Sequence, residues 1–194
     1  EEEWRECIDA VTRMEPSGAF VVASGSLPPG VPGDFYATLA RAVKEADGRL
    51  ILDAPGEEMD AALEEGVFLI KPNRREFRHL ASREIDSTGD HQEAAEEIVR
   101  EGKAEIVVVS LGAAGAVGAT GSGSFRYHSP PVPLESKVGA GDSMVAGIVY
   151  GLSNDYQTDD AVRFGIAAGS AAVITPGTEL CRGEDVFRIY EKMK

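Results

Sequence analysis

Short apolar runs that alternate with stretches of helical period constrain this chain more than any other feature. AFVVA (19–23), RLILD (49–53), VFLIK (67–71) and EIVVVS (105–110) are continuous apolar segments that close on polar residues. Strands covered on both faces of a parallel sheet have this pattern, because strict alternation is enforced only where one face meets water. Between the runs, residues 34–46 carry Phe35, Leu39, Ala42, Val43 and Ala46 at helical spacing and stop at Gly48. A short helix is expected over 57–65, another from about Arg74, and a third over 90–101 with Gly102 as its stop. Strand–helix repetition with short connections predicts an α/β fold: a mostly parallel sheet with helices on both faces.

The stretch from 112 to 133 has a different character. GAVGAT (115–120) and FRYHS (125–129) flank the turn residues GSGS (121–124), which predicts a β-hairpin with a flexible tip. The extended segment PPVP (130–133) leads to SKVGAGDSMVAG (136–147), a glycine-rich turn that runs into a helix. Two more helices are expected over 159–174 and 184–192. Neither an internal repeat nor a linker long enough to separate two domains is visible.

Charge narrows the choice of partners. The 194 residues include 33 acidic and 19 basic side chains, a formal charge of −14. That balance argues against nucleic acid and anionic membranes, both of which reward positive charge. A small anionic substrate stays possible wherever local amides and cations outweigh the global field. No apolar run approaches a membrane span. Cys7 and Cys181, like His79, His91 and His128, lack metal-ligand or disulfide-framework spacing, so a cytoplasmic location is expected. The acidic pairs at 57–58, 64–65, 96–97 and 159–160 fall on expected helices and read as solvated faces. The opening EEEWRE has neither a signal-peptide pattern nor a methionine, and reads as internal to a longer protein.

The strongest chemical signal is Gly139-Ala140-Gly141-Asp142 directly before an apolar helix. Glycines let the backbone turn sharply and approach a ligand, and the first-turn amides of a helix point outward with the positive end of its dipole. Together they make an anion hole suited to a phosphoryl group in transfer. Asp142, one residue on, stands where it could take a proton from an attacking hydroxyl. An ordinary helix start with an acidic first turn accounts for the same four residues equally well.

Wider context favours chemistry. The string resembles the second signature of the PfkB, or ribokinase-like, carbohydrate kinases. SGSLPPG (24–30), ILDAPGE (51–57), KPNRREF (71–77), VSLGAAG (109–115), VGAGDSMVAG (138–147) and AAGSAA (167–172) resemble further landmarks in family order. The ending GTELC (177–181) is most similar to the 6-phosphofructokinase branch, with 1-phosphofructokinases and tagatose-6-phosphate kinases nearby. The resemblance implies a three-layer α/β/α sandwich. Residues 1–194 would be the C-terminal portion of one kinase domain, with its N-terminal strands and lid missing. It also implies a homodimeric full-length protein that transfers phosphate from ATP to a phosphosugar. The alternative is a truncated nucleotide-binding module without turnover.

Carried over by resemblance, Asp142 is the base, and Gly139, Ala140 and Gly141 supply amides to the transferring phosphate. Asn73 and Glu76 match an N-x-x-E motif that organises Mg2+ through water, although the same spacing is a helix capping box. Lys71 just upstream is a cation at a strand end, within reach of nucleotide phosphates. Ser110, Gly112 and Gly115 match the nucleotide-binding turn, with Ser170 in AAGSAA, although a strand-to-hairpin turn needs glycine anyway. Ser26 corresponds to a residue near the phosphosugar, and on its own residues is a proline-rich turn. Asp53 ends a strand at the ligand-facing edge of the sheet. A monovalent-cation site for K+ is implied around Ser136, Val138, Ala172, Thr175 and Gly177. One departure stands out: Ser136-Lys137-Val138 occupies the place where many members carry aspartate and threonine.

Overall fold

A computed structural model describes residues 3–81 and 83–193. In chain order the elements are α1 (Glu3–Arg13), β1 (Phe20–Ser24), α2 (Phe35–Glu45), β2 (Arg49–Asp53), α3 (Gly56–Glu65), β3 (Val67–Ile70), α4 (Arg74–Leu80) and α5 (Thr88–Arg100). There follow β4 (Ala104–Ser110), a single 3-10 turn (Gly112–Ala114), β5 (Ala116–Thr120), β6 (Gly123–Tyr127), α6 (Ala140–Ser153), α7 (Thr158–Ala172) and α8 (Gly183–Glu191). The chain divides into two compact units, Glu1–Val109 with Val117–Phe125, and Ser110–Ala116 with Arg126–Lys194.

The six strands form one sheet in the order β1-β2-β3-β4-β5-β6. β1 to β4 are parallel neighbours, with Val22 beside Ile51, Ile51 beside Leu69, and Leu69 beside Ile106. In the first unit, Ile51, Leu52, Leu69, Ile70 and Val107 have no exposed surface, which is why these strands read as unbroken apolar runs. Parallel strands laid side by side in sequence order need a crossover between each pair, here helical. Helix α2 packs on α1 and α3, and α3 packs on α4.

β5 and β6 form the expected hairpin, but its turn is tighter than the GSGS tetrapeptide. Gly123 and Ser124 already belong to β6, so Gly121 and Ser122 alone connect the strands. A two-residue connection joins antiparallel strands only. Helix α1 lies in a stretch for which no element was expected; a single residue, Ile8, is buried along it.

The second unit is a helical packet. α6 packs along α7 and α7 against α8. Phe164, Ala168, Ala171, Val186, Ile189 and Tyr190 form its core. The ring of Phe164 stacks on Tyr150 at 5.0 Å and meets Tyr190 edge-on at 5.2 Å. The α6–α7 contact is unusually close at Gly165, where a Cβ would lie 2.4 Å from Ile148 Cγ1 and 2.7 Å from the Met144 carbonyl. Glycine is required there so that two backbones can approach.

Candidate active site

Within the first unit, the C-terminal ends of three parallel strands gather the candidate residues, as expected where an open α/β sheet meets its ligands. Asp53 ends β2 and Lys71 follows β3. The register that sets Leu52 beside Ile70 brings the next pair, Asp53 and Lys71, together one step on. Their charged groups meet at 3.0 Å, with Lys71 only 4% exposed. The ammonium is therefore already matched by a carboxylate, which reduces its net pull on a phosphate.

Ser26 lies exposed in the loop after β1, and the structure explains how that loop is held. The amide of Gly25 donates to the Asp53 carbonyl at 2.9 Å, and the hydroxyl of buried Tyr36 donates to the Gly25 carbonyl at 2.7 Å. The amide of Leu27 donates to both carboxylate oxygens of Glu58 at 3.1 Å. Burial raises the Tyr36 phenol above its ordinary value, and the nearby charges of Glu58 and Asp53 push the same way. Neither clamp was visible in sequence. Glu58 belongs to an acidic pair expected to be solvated, and Tyr36 sits on the buried face of an amphipathic helix.

Asn73 and Glu76 form a complete capping box at the start of α4. The Asn73 side chain accepts from the amides of Arg75 and Glu76 at 2.8 and 3.1 Å, and Glu76 Oε2 accepts from the Asn73 amide at 2.8 Å. This leaves Glu76 Oε1 without a hydrogen bond among the described residues. A half-buried carboxylate oxygen with no protein partner suits a water of a hydrated Mg2+, which keeps most of its own waters. The cap and the metal role are thus compatible on one side chain.

The second unit contains a cavity of about 700 Å³. Of the expected nucleotide and anion-hole residues, Ser110, Gly112, Gly115, Ala140, Gly141 and Ser170 all line it. The turn is built locally: the amide of Leu111 donates to the Gly115 carbonyl at 2.8 Å and that of Gly115 to the Gly112 carbonyl at 2.9 Å. Gly139 is the N-cap of α6 with φ 75°, a left-handed conformation that favours glycine, and no side chain caps the helix. The first helical bond runs from the Ser143 amide to the Gly139 carbonyl, and the Ala140 amide makes only a long 3.5 Å bond to the Lys137 carbonyl, so first-turn amides remain for a ligand. Asp142 is exposed in that turn.

The rest of the wall was not anticipated. Val132, Leu134, Met144, Ile166 and Val173 give the cavity an apolar side, and Lys137 is its single charged lining residue. On α7 and its C-cap the residues Ile166, Gly169, Ser170 and Val173 recur at i, i+3, i+4 and i+7, one helical stripe lining the cavity. A mostly apolar wall with a few convergent polar groups is the usual make-up of a small-molecule site.

Four of the five residues expected at a monovalent cation lie on connected backbone. Ser136 Oγ accepts from the Val138 amide at 3.2 Å, and the Ser136 amide donates to the Val173 carbonyl at 3.2 Å. The buried Thr175 hydroxyl lies 2.7 Å from the Ala172 carbonyl, a hydrogen-bonding acceptor, and 3.0 Å from that of Glu179. Gly177 follows in a left-handed turn. These donors are all oxygen, the set a hard cation takes. Among the described residues no group of three or more His, Cys, Asp or Glu is arranged to hold a metal ion, and no helix is long and apolar enough to cross a membrane.

Comparison with known proteins identifies the family. The model of the pfkB family carbohydrate kinases matches residues 5–184. The ATP-dependent 6-phosphofructokinase isozyme 2 of Escherichia coli is 44% identical over 98% of the chain. That of Mycobacterium tuberculosis is 44% identical over 97%. The chain spans 62% and 56% of the length of these two relatives. The crystal structure of phosphofructokinase-2 from Escherichia coli in complex with potassium superposes with a TM-score of 0.94 at 43% identity, covering all of this chain and 62% of that one.

Proposed function

The chain belongs to the pfkB family of carbohydrate kinases, and from that premise we propose that the protein phosphorylates fructose 6-phosphate at its 1-hydroxyl with ATP. The observation that carries the reading is the convergence of Ser110, Gly112, Gly115, Ala140, Gly141 and Ser170 on one cavity. Those residues come from three separate segments of sequence. A hairpin turn or a helix start alone gives no reason for them to meet.

In this reading the turn at Ser110, Gly112 and Gly115, together with Ser170, holds the nucleotide. Amides of Gly139, Ala140 and Gly141 donate to the oxygens of the transferring phosphoryl group, whose charge is spread over three oxygens in the transition state. Asp142 orients the attacking hydroxyl and accepts its proton. Positioning matters more than basicity here, because the phosphoryl group is largely detached before the new bond forms. Lys71 and Asn73 contribute to nucleotide binding, and Ser26 contacts the phosphosugar. Asn73 and Glu76 hold Mg2+ through water, and the ion supplies neutralising charge to the phosphates. Ser136, Val138, Ala172, Thr175 and Gly177 hold K+, the ion carried by the Escherichia coli structure.

The test is a coupled ADP-release assay with Mg-ATP and, in parallel, fructose 6-phosphate, fructose 1-phosphate and tagatose 6-phosphate. Turnover highest with fructose 6-phosphate supports the proposal. Preference for either other sugar moves the protein to a neighbouring branch of the family. ATP binding without turnover on any sugar makes it a nucleotide-binding module.

A further inference from the structure

The lining of the cavity in the second unit departs from the acidic balance of the chain. The sequence has 33 acidic and 19 basic residues, yet the lining contains no acid and a single charged side chain, Lys137. Three other lysines are engaged: Lys44 donates to the Glu65 carbonyl, Lys71 pairs with Asp53, and Lys103 pairs with Glu64 and Glu101. The Lys137 side chain has no hydrogen bond or ion pair among the described residues.

Its place in the chain sets it beside a helix start. Lys137 stands two residues before Gly139, the N-cap of α6, and its carbonyl is 3.5 Å from the Ala140 amide. Lys137 is exposed, and its charge adds to the positive end of a 14-residue helix, a like-sign arrangement along the chain. Asp142 in the first turn offsets part of it. A multiply charged anion in the cavity offsets more, because it meets the ammonium and the uncapped amides together.

Resting on the nucleotide-binding reading of this cavity, we infer that Lys137 is a ligand of the nucleotide phosphate chain. It is specific to a nucleoside polyphosphate and indifferent to the nucleoside. The apolar wall of Val132, Leu134, Ile166 and Val173 accepts the base, and Lys137 with the Ala140–Gly141 amides accepts the phosphates. Because Lys71 is already matched by Asp53, Lys137 is the cation whose charge stays available to the ligand.

Calorimetric titration of the protein with adenosine, ADP and ATP tests this on wild type, Lys137→Ala and Lys137→Arg. Lys137→Ala weakens ADP and ATP by about tenfold, the value of one hydrogen bond to a charged group. Adenosine stays within about twofold of wild type, and Lys137→Arg restores most of the loss because the charge is kept. ADP affinity unchanged in Lys137→Ala overturns the inference, and so does an equal loss for adenosine, which marks a structural role. A wild type that binds neither nucleotide overturns the reading of the cavity itself, a result distinct from either.

Discussion

Asp53 and Lys71 end adjacent parallel strands with their charges 3.0 Å apart, and the lysine is almost fully buried while the aspartate side chain keeps 15% of its surface. This asymmetry decides which partner is more costly to remove. Deleting the carboxylate strands an ammonium out of water, and breaking a buried pair in that way costs about 3–5 kcal/mol. Deleting the ammonium leaves a carboxylate with some access to solvent. Asp53→Ala is therefore expected to lower the denaturant midpoint more than Lys71→Met. Equal midpoints, or the reverse order, contradict the ion pair as described.

Glu76 separates a helix cap from a metal contact in one substitution. Glutamine at this position keeps the bond to the Asn73 amide, since either residue completes a capping box. Glu76→Gln should hold stability within about 0.5 kcal/mol of wild type, whereas Asn73→Ala should cost about 1 kcal/mol. If Glu76 also holds a metal-bound water, the Mg2+ concentration for half-maximal activity rises in Glu76→Gln. An unchanged Mg2+ requirement would confine Glu76 to the cap.

Acidity acts on the start of α5. The Asp90 carboxyl lies below its ordinary value, chiefly because it accepts from the Ser87 amide, with the Asp86 amide adding to this. A folded-state value below the unfolded one gives stability that is fully present above the unfolded value of about 3.9 and is lost as pH falls through the folded value. Unfolding midpoints should thus fall on acidification below about pH 4. The Ser87 side chain also holds the Asp90 carboxyl down, so Ser87→Ala should raise the Asp90 value in an NMR titration. An Asp90 that titrates at the ordinary value in the wild type would contradict this.

The fold was legible wherever burial is continuous along a short segment. β2 matches the run RLILD residue for residue, because Leu50, Ile51 and Leu52 are all buried and leave no alternation to confuse the reading. Helix α1 was missed because only Ile8 is buried along it, and a pattern with one buried residue leaves little to read. The turn before α6 was legible from its glycines, and Gly139 adopts the left-handed conformation that glycine favours.

What sequence could not supply was pairing at a distance. Asp53 and Lys71 are eighteen residues apart and meet only through strand register. Glu58 and Leu27 are farther apart still, at thirty-one residues. The stripe Ile166, Gly169, Ser170 and Val173 has the same small and apolar residues whether it faces a core or a cavity. Lys137 was visible as a departure from family pattern, but its place in the cavity wall depends on how the turn before α6 is folded.

The most direct measurement is steady-state phosphoryl transfer to fructose 6-phosphate by wild type and Asp142→Asn, with ATP binding measured alongside. Asparagine keeps the size of the side chain and loses the proton acceptor. The account predicts a fall in kcat of roughly 10²–10⁴, the usual contribution of a general base, with ATP affinity nearly unchanged. An Asp142→Asn enzyme whose kcat stays within about twofold of wild type would contradict it, and would remove Asp142 from the chemistry.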